Sequence, residues 1–288
     1  MSPVLPTPTL VLFHSPCPDG FASAWVCWER WGDQCQYVPL NHGDDLPDVK
    51  GHDVWMLDLG LTLEQTELLA SEAKSFHIID HHASAKEELG HLPYAHFDLN
   101  HCGAVLTWKT VHPDRDIPKL LQILEVRDLN ITQDIEGDAL LHVLDSLPYS
   151  FQAWSNFNDR VEQDWDEVLK EGKAMQSKFD SLVLRLLPHA HPIEMLGQRG
   201  WAVNAPREFA SSLAGCLAKD ADFALSWFLD SKGRVHVSWR AVRGKNVIPL
   251  ARAFGGGGHP TAAGARLSLT QLEKLLNSKI LGNPLKVW

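Results

Sequence analysis

His14, Cys17 and Asp19 lie close together in the stretch FHSPCPDG, residues 13–20. Asp58 falls in DVWMLDLG, residues 53–60, and Asp80, His81 and His82 stand side by side after the apolar run FHII. Asp128 follows in EVRDLN. Carboxylates suit hard divalent ions such as Mg2+ and Mn2+, and imidazole is a good ligand for transition metals. Two ions about 3.5–4 Å apart need a shared carboxylate and ligands from both sides; such a pair polarises a phosphate and supplies a hydroxide. A single carboxylate at a strand end is more often a turn or helix cap. The trio Asp80-His81-His82 shifts that balance. One imidazole can take a metal, the other can face a substrate, and the aspartate can orient a ring.

The elements that would position these groups are legible in outline. TLVLF (9–13), CQYVPLN (35–41), DVWMLDLG (53–60) and SFHIID (75–80) read as strands. Residues 21–31, 62–74, 103–112 and 117–130 read as helices, with Thr62 as the N-cap of the second. Strand–helix alternation implies a parallel sheet. Asp19, Asp58 and Asp80 each lie at or just past a strand end, so the carboxyl edge of such a sheet would gather them. Residues 151–187 read as charged helix and stop at Pro188-His-Ala-His-Pro192. We place the domain boundary there, giving units 1–187 and 188–288. The second unit reads as small and mixed α/β, with a helix around 207–218, a hairpin turned at Ser231-Lys-Gly233 and a final helix near 269–280. In GGGGHPTAAGA, glycines Gly256, Gly257 and Gly258 would let backbone N–H groups approach a phosphate, and His259 could bond its oxygens. A helix starting near Pro260-Thr-Ala would add its positive end.

Composition narrows the class. The chain has 288 residues, 44% of them hydrophobic, enough for one large or two smaller cores. It has no run of eighteen apolar residues, so no membrane span is expected. MSPVLPTPTLVLF reads as a short tail entering a strand, not a signal peptide. The five cysteines form no C-x-x-C pair, which predicts reduced thiols, a cytoplasmic home and no zinc finger. Net charge is −10 and uneven: residues 1–199 carry 14 Lys/Arg against 31 Asp/Glu, residues 200–288 carry 12 against 5. An acidic part joined to a basic part suits metal binding in one and anion binding in the other. Overall acidity disfavours long duplex DNA as a partner.

IIDHH with an upstream strand-end aspartate, followed by GGGGHPTAAGA, resembles the DHH phosphoesterase superfamily with its DHH-associated C-terminal domain. The motifs come in that family's order, and His259 lies 177 residues after His82. The resemblance implies an α/β fold: a parallel-sheet DHH domain with helices on both faces, a helical linker, a smaller mixed α/β domain and an active site in the cleft between them. It implies up to two Mn2+ or Mg2+ ions on His14, Cys17, Asp19, Asp58, His81 and Asp128. His82 would face the scissile phosphate, with Asp80 beside it. Asp116 and Asp134 are weaker rivals for the place of Asp128. Cys17 stands where the family usually has a carboxylate, so the ion on the His14 side is expected to be the looser one.

The resemblance further implies that Arg240, in VSWRA, grips a phosphate or nucleotide, with Arg243, Lys245 and Arg252 extending the patch. Asn204 and His101 are further candidate substrate contacts, against a helix-capping role for Asn100. The implied activity is a metal-dependent phosphodiesterase on short single-stranded oligonucleotides or dinucleotides. The rivals are a phosphomonoesterase on nucleoside bisphosphates, a polyphosphatase, and a nucleotide-binding sensor with a weakened metal site. A homodimer is carried as a candidate assembly.

Overall fold

A computed structural model describes residues 7–41, 43–129, 135–218, 221–242 and 244–277. The first unit opens with β1 (Leu10–His14), α1 (Pro18–Trp31), β2 (Gln36–Leu40), β3 (Asp53–Leu57) and α2 (Leu63–Glu72). It continues with β4 (Ser75–Asp80), α3 (Ala83–Leu89) and β5 (Ala95–Phe97). Five helices follow: α4 (Gly103–Val111), α5 (Lys119–Asp128), α6 (Ile135–Asp145), α7 (Phe151–Gln163) and α8 (Trp165–Leu186). The strands form a sheet in the order β2-β1-β3-β4-β5, and every neighbouring pair is parallel.

Side chains alternate across that sheet, as the two-residue period of a strand requires. Val11, Phe13, Trp55, Leu57 and Ile79 turn to one face, under α1, α4, α5, α6 and α7. Leu10, Leu12, Val54, Met56 and Ile78 turn to the other, with Leu69 of α2 and Leu89 of α3. Both faces are therefore covered, which is why β1 and β3 read as unbroken apolar runs. Because β1 lies between β2 and β3, the chain leaves it in opposite directions along the sheet. That makes a topological switch point between β1 and β3, where α/β sheets leave an open crevice at the strands' carboxyl ends.

The second unit contains β6 (His191–Met195), β7 (Gln198–Asn204), α9 (Ala210–Leu217), β8 (Phe223–Leu229) and β9 (Val235–Arg240). After these come α10 (Ile248–Arg252), β10 (Gly257–His259), β11 (Ala262–Leu267) and α11 (Leu269–Leu276). Its sheet runs β10-β11-β9-β8-β7-β6, antiparallel except for the β7–β8 pair. The hairpin between β8 and β9 turns where expected, with Gly233 at φ 74°.

Several expectations are corrected. No helix starts near Pro260. Residues 257–259 and 262–267 pair as an antiparallel hairpin instead, and β11 lies along β9 with Ala262 opposite Arg240. Its glycines serve that hairpin: Gly258 has φ 137°, and a Cβ on Gly256 would meet the Gly264 carbonyl oxygen at 2.1 Å. The segment after Pro188 carries strand β6, because His191–Met195 pairs with β7. The two compact units divide at Gln176/Ser177, inside α8, whereas the sequence placed the boundary at 187/188. The C-terminal end of α8 packs Val183 with Val203 and Leu213 of the second unit's core, which puts that end with the later residues. Arg243 and Asp134 lie outside the described residues. Among the described residues no helix is long and apolar enough to cross a membrane.

Candidate metal centre

The carboxyl ends of β1, β3 and β4 bring their polar residues together at the switch point. His14 is the last residue of β1, Asp80 the last of β4, and Asp58 follows β3 directly. Asp58 is 1% exposed and holds a left-handed backbone, φ 54°, which is uncommon for a residue with a Cβ. Its two oxygens point to different neighbours: Oδ1 lies 3.2 Å from His81 Nε2, and Oδ2 lies 3.7 Å from His14 Nδ1. Neither oxygen makes a hydrogen bond within the protein. The neighbouring imidazoles are what compensates this buried carboxylate within the chain, and a bound cation could take their place.

Asp19 reaches the cluster from the first turn of α1 rather than from a strand end. Its Oδ2 accepts from the Gly103 N–H at 2.7 Å and its Oδ1 from the Ala104 N–H at 2.9 Å, so it caps α4 from across the fold. Asp19 Oδ2 is also 3.6 Å from His81 Nε2. Asp128 closes this side from the end of α5, its Oδ2 at 3.4 Å from the same nitrogen. Gly103 was missed in the sequence. A Cβ there would meet Asp58 Cβ at 2.8 Å and oxygens of Asp19 and Asp58 at 3.0 Å, so only glycine lets α4 start this close. Nothing in the local pattern around 103 announces that contact.

The Asp-His-His trio folds into a tight polar turn. Asp80 Oδ1 accepts from the backbone N–H groups of His81 and His82, at 2.6 and 3.1 Å. The same oxygen lies 2.7 Å from His82 Nδ1 and so fixes the ring. The His82 side chain is 30% exposed, while Asp80 is fully buried. A cleft of about 120 Å³ opens beside it, lined by His14, Asp58, Gly60, His82, Ser84 and Glu88.

The electrostatics follow from three buried aspartates beside a fourth. Burial, then the charges of Asp58 and Asp128, push Asp19 well above the usual carboxylate range. Burial pulls His81 down, but Asp58, Asp19 and Asp128 outweigh it and raise it to about 9. Burial pulls His82 down too, and its bond to Asp80 with the charges of Asp80, Asp58 and Asp128 raises it to about 10. Burial pushes the Cys17 thiol up, and Asp58 and Asp19 push it further. A cluster that draws protons onto its imidazoles is one that attracts cations.

Ligand-type atoms fall into overlapping groups, each within 4.8 Å. Asp19, His81 and Asp128 make one; His14, Cys17 and Asp58 another; Asp58, Asp80, His81 and His82 a third. The Asp58 oxygens, faced only by imidazoles, and the O, N and S donors around them fit divalent metal. The structure thus brings His14, Cys17, Asp19, Asp58, Asp80, His81, His82 and Asp128 into one place.

His101 stands apart, at the head of α4. Its Nδ1 lies 3.1 Å from Glu125 and its Nε2 faces Lys109 Nζ. Asn100 does not cap α4, as its amide turns to Asp98 and Asp19 supplies the cap. In the second unit Arg240 bonds Ser211 Oγ at 3.3 Å and the Trp239 carbonyl at 3.1 Å. Burial, and then the nearby cation of Arg207, lower it. The sequence pattern gave no sign of Arg207. Asn204 donates to the Trp227 carbonyl and Lys245 pairs with Asp222, so both are spoken for within the unit.

A parallel sheet with an Asp/His cluster at its switch point is thus followed by a mixed-sheet unit. Residues 195–280 match the family described as the DHHA1 domain, so the second unit carries that domain. The resemblance to the DHH superfamily with its C-terminal associated domain therefore rests on a matched domain as well as on motifs. One relative, an uncharacterized protein, R106, of Acanthamoeba polyphaga mimivirus, is 26% identical, over 90% of this chain and 67% of its own length. Among solved structures the fold is shared with a pGpG-specific phosphodiesterase, PggH, from Vibrio cholerae. That likeness has a TM-score of 0.51 at 12% identity and covers 93% of this chain and 96% of the other. An exopolyphosphatase-related protein from Bacteroides fragilis matches with a TM-score of 0.51 at 13% identity, over 93% and 89% of the two chains.

Proposed function

We propose that this protein is a metal-dependent phosphodiesterase that hydrolyses short oligonucleotides or dinucleotides to nucleoside monophosphates in the cytoplasm. The observation that carries the reading is Asp58, a buried carboxylate whose two oxygens face two different sets of ligand-type side chains. The pGpG-specific phosphodiesterase among the structural neighbours points to dinucleotides as the first substrates to try. The five cysteines are all free, in keeping with a reducing compartment.

His14, Cys17, Asp19, Asp58, His81 and Asp128 would hold divalent ions, which would supply charge neutralisation at a phosphate and acidify a water. The chain's own groups do the rest. Asp80 orients His82 through Nδ1, and His82 gives a proton to the leaving oxygen or stabilises charge on the phosphate. Asp19 stays fixed because α4 holds both its oxygens. In the DHHA1 domain, Arg240, Gly256, Gly257, Gly258 and His259 bind a second phosphate or the nucleotide, with Arg207 reinforcing the positive charge.

The test is product analysis of the purified protein in Mn2+. Its substrates are a 5′-phosphorylated dinucleotide, a nucleoside 3′,5′-bisphosphate and a polyphosphate. Nucleoside monophosphate should appear from the dinucleotide and be lost in His82→Ala. Phosphate release from polyphosphate with the dinucleotide intact would assign a polyphosphatase. Dinucleotide binding in calorimetry with no turnover in any divalent ion would assign a sensor.

A further inference from the structure

We infer that His14, Cys17 and Asp58 form a thiolate-containing metal subsite that takes a borderline ion of the Zn2+ or Co2+ class. The Asp19–His81–Asp128 side takes a hard ion of the Mn2+ or Mg2+ class, so the protein holds two unlike metals. The inference rests on the metal-dependent reading above and deepens it.

Cys17 is not a residue that a helix start selects. It occupies the N-cap of α1, a place that favours Ser, Thr, Asp or Asn because their oxygens accept from the first turn. Here the side chain makes no cap hydrogen bond, and the backbone carbonyl alone accepts from the Phe21 N–H at 2.9 Å. The thiol is instead grouped with His14 and Asp58, with one ligand-type atom from each within 4.8 Å of the others. Ligand atoms around a tetrahedral zinc stand roughly 3.3–3.8 Å apart, so small side-chain adjustments close the group on an ion.

A second observation points to a ligand in the same place. Asp58 is 1% exposed, its Oδ2 has no hydrogen-bond partner, and that oxygen lies toward His14 at 3.7 Å. Three protein ligands with one position left open is the pattern of a catalytic rather than a structural zinc site. The cleft lined by His14, Asp58 and His82 lies on this side, where substrate or water would complete the coordination.

Donor chemistry then separates the two sides. Thiolate and imidazole favour Zn2+ and Co2+, whereas carboxylates with a single imidazole suit Mn2+ and Mg2+. On binding, the thiol proton leaves to solvent and the sulfur lone pair forms the bond to the ion.

Cobalt makes the sulfur visible. Metal-free protein is titrated with Co2+ while the near-ultraviolet thiolate-to-cobalt charge-transfer band is followed, in wild type and in Cys17→Asp. The expected result is a band in wild type and its complete loss in Cys17→Asp, which still binds Co2+. Co2+ binding without a band, or a band that survives Cys17→Asp, overturns the inference, as does failure of any divalent ion to bind. Should the variant not fold, alkylation of the wild type decides. Saturating Zn2+ should protect Cys17 from iodoacetamide, with exposed Cys216 reacting regardless as the internal control; an unchanged rate at Cys17 overturns the inference. A band without cleavage of any phosphoester keeps this inference and removes the proposed activity. Cleavage in Mn2+ without a band does the reverse.

Discussion

Both oxygens of Asp19 are held by the first N–H groups of α4, so this residue serves the fold as well as its proposed place in the metal cluster. Asp19→Ala should therefore lose a cap worth about 1 kcal/mol, offset in the metal-free protein by relief of repulsion from Asp58 and Asp128, so the net loss there should be smaller than the cap alone. Chemical denaturation with no added metal measures that. His82 is expected to act mainly on turnover. His82→Ala should leave metal stoichiometry unchanged and lower stability, because buried Asp80 loses its imidazole partner. Turnover should fall roughly a hundredfold to ten-thousandfold, as for loss of a proton-transfer group. Metal analysis beside steady-state kinetics separates the two effects. Gly103→Ala should cost about 1–3 kcal/mol by overpacking against Asp58 and also weaken Mn2+ binding. A stability loss with unchanged Mn2+ affinity would show that the glycine serves packing alone. The strand-end carboxylates were legible because one rule of parallel sheets collects them. Gly103 was not, because its constraint comes from residues 45 and 84 positions away in sequence.

Among the elements, α2 shows what local sequence specifies. Thr62 and Gln65 form the reciprocal capping box that TLEQ announces. Thr62→Ala should lower stability by about 1 kcal/mol in a thermal melt. The hairpin of β10 and β11 shows where local reading fails. A glycine run followed by Pro-Thr-Ala looks like the start of a helix, since proline is favoured in the first turn. Pairing along β9 decides otherwise, and that partner is invisible from residues 255–266 alone. β5 and β6 were missed because one is three residues long and both lie at sheet edges.

At the start of β3, Asp53 accepts from Lys74 Nζ and Ser75 Oγ, at 2.7 Å each, tying that strand to β4. Bonds from Lys74 and then Ser75 hold Asp53 below the usual carboxylate range. Its folded pKa lies under its unfolded one, so its stabilisation is present above about pH 4 and lost as pH falls through the folded value. Asp53→Asn should thus cost stability at pH 7, roughly 0.5–1 kcal/mol for a pair whose lysine is exposed, and almost nothing near pH 2. Melts across that range test the sign.

For the molecule as a whole, every proposed metal ligand lies between residues 14 and 128, inside the first compact unit. Mn2+ at a hundred times its dissociation constant should stabilise that unit by about 2.7 kcal/mol. Differential scanning calorimetry should show the gain in the transition of the first unit and none in a separable transition of the second. Equal shifts in two resolved transitions would contradict this assignment. The charge asymmetry of the sequence, acidic early and basic late, agrees with an Asp/His cluster in the first unit. It could not locate Arg207 beside Arg240, since only the packing of the second unit brings them near.

The contrast between positions 17 and 19 has a consequence for how such a protein changes over generations. Asp19 is constrained from two directions, because any replacement unlatches a helix as well as altering the metal cluster. Cys17 sits at an N-cap, where Asp and Ser are favoured residues, so either could enter there with the helix start kept. Metal preference can therefore drift at a single codon while the scaffold stays intact, and a lineage could follow the metal supply of its surroundings through that one side chain.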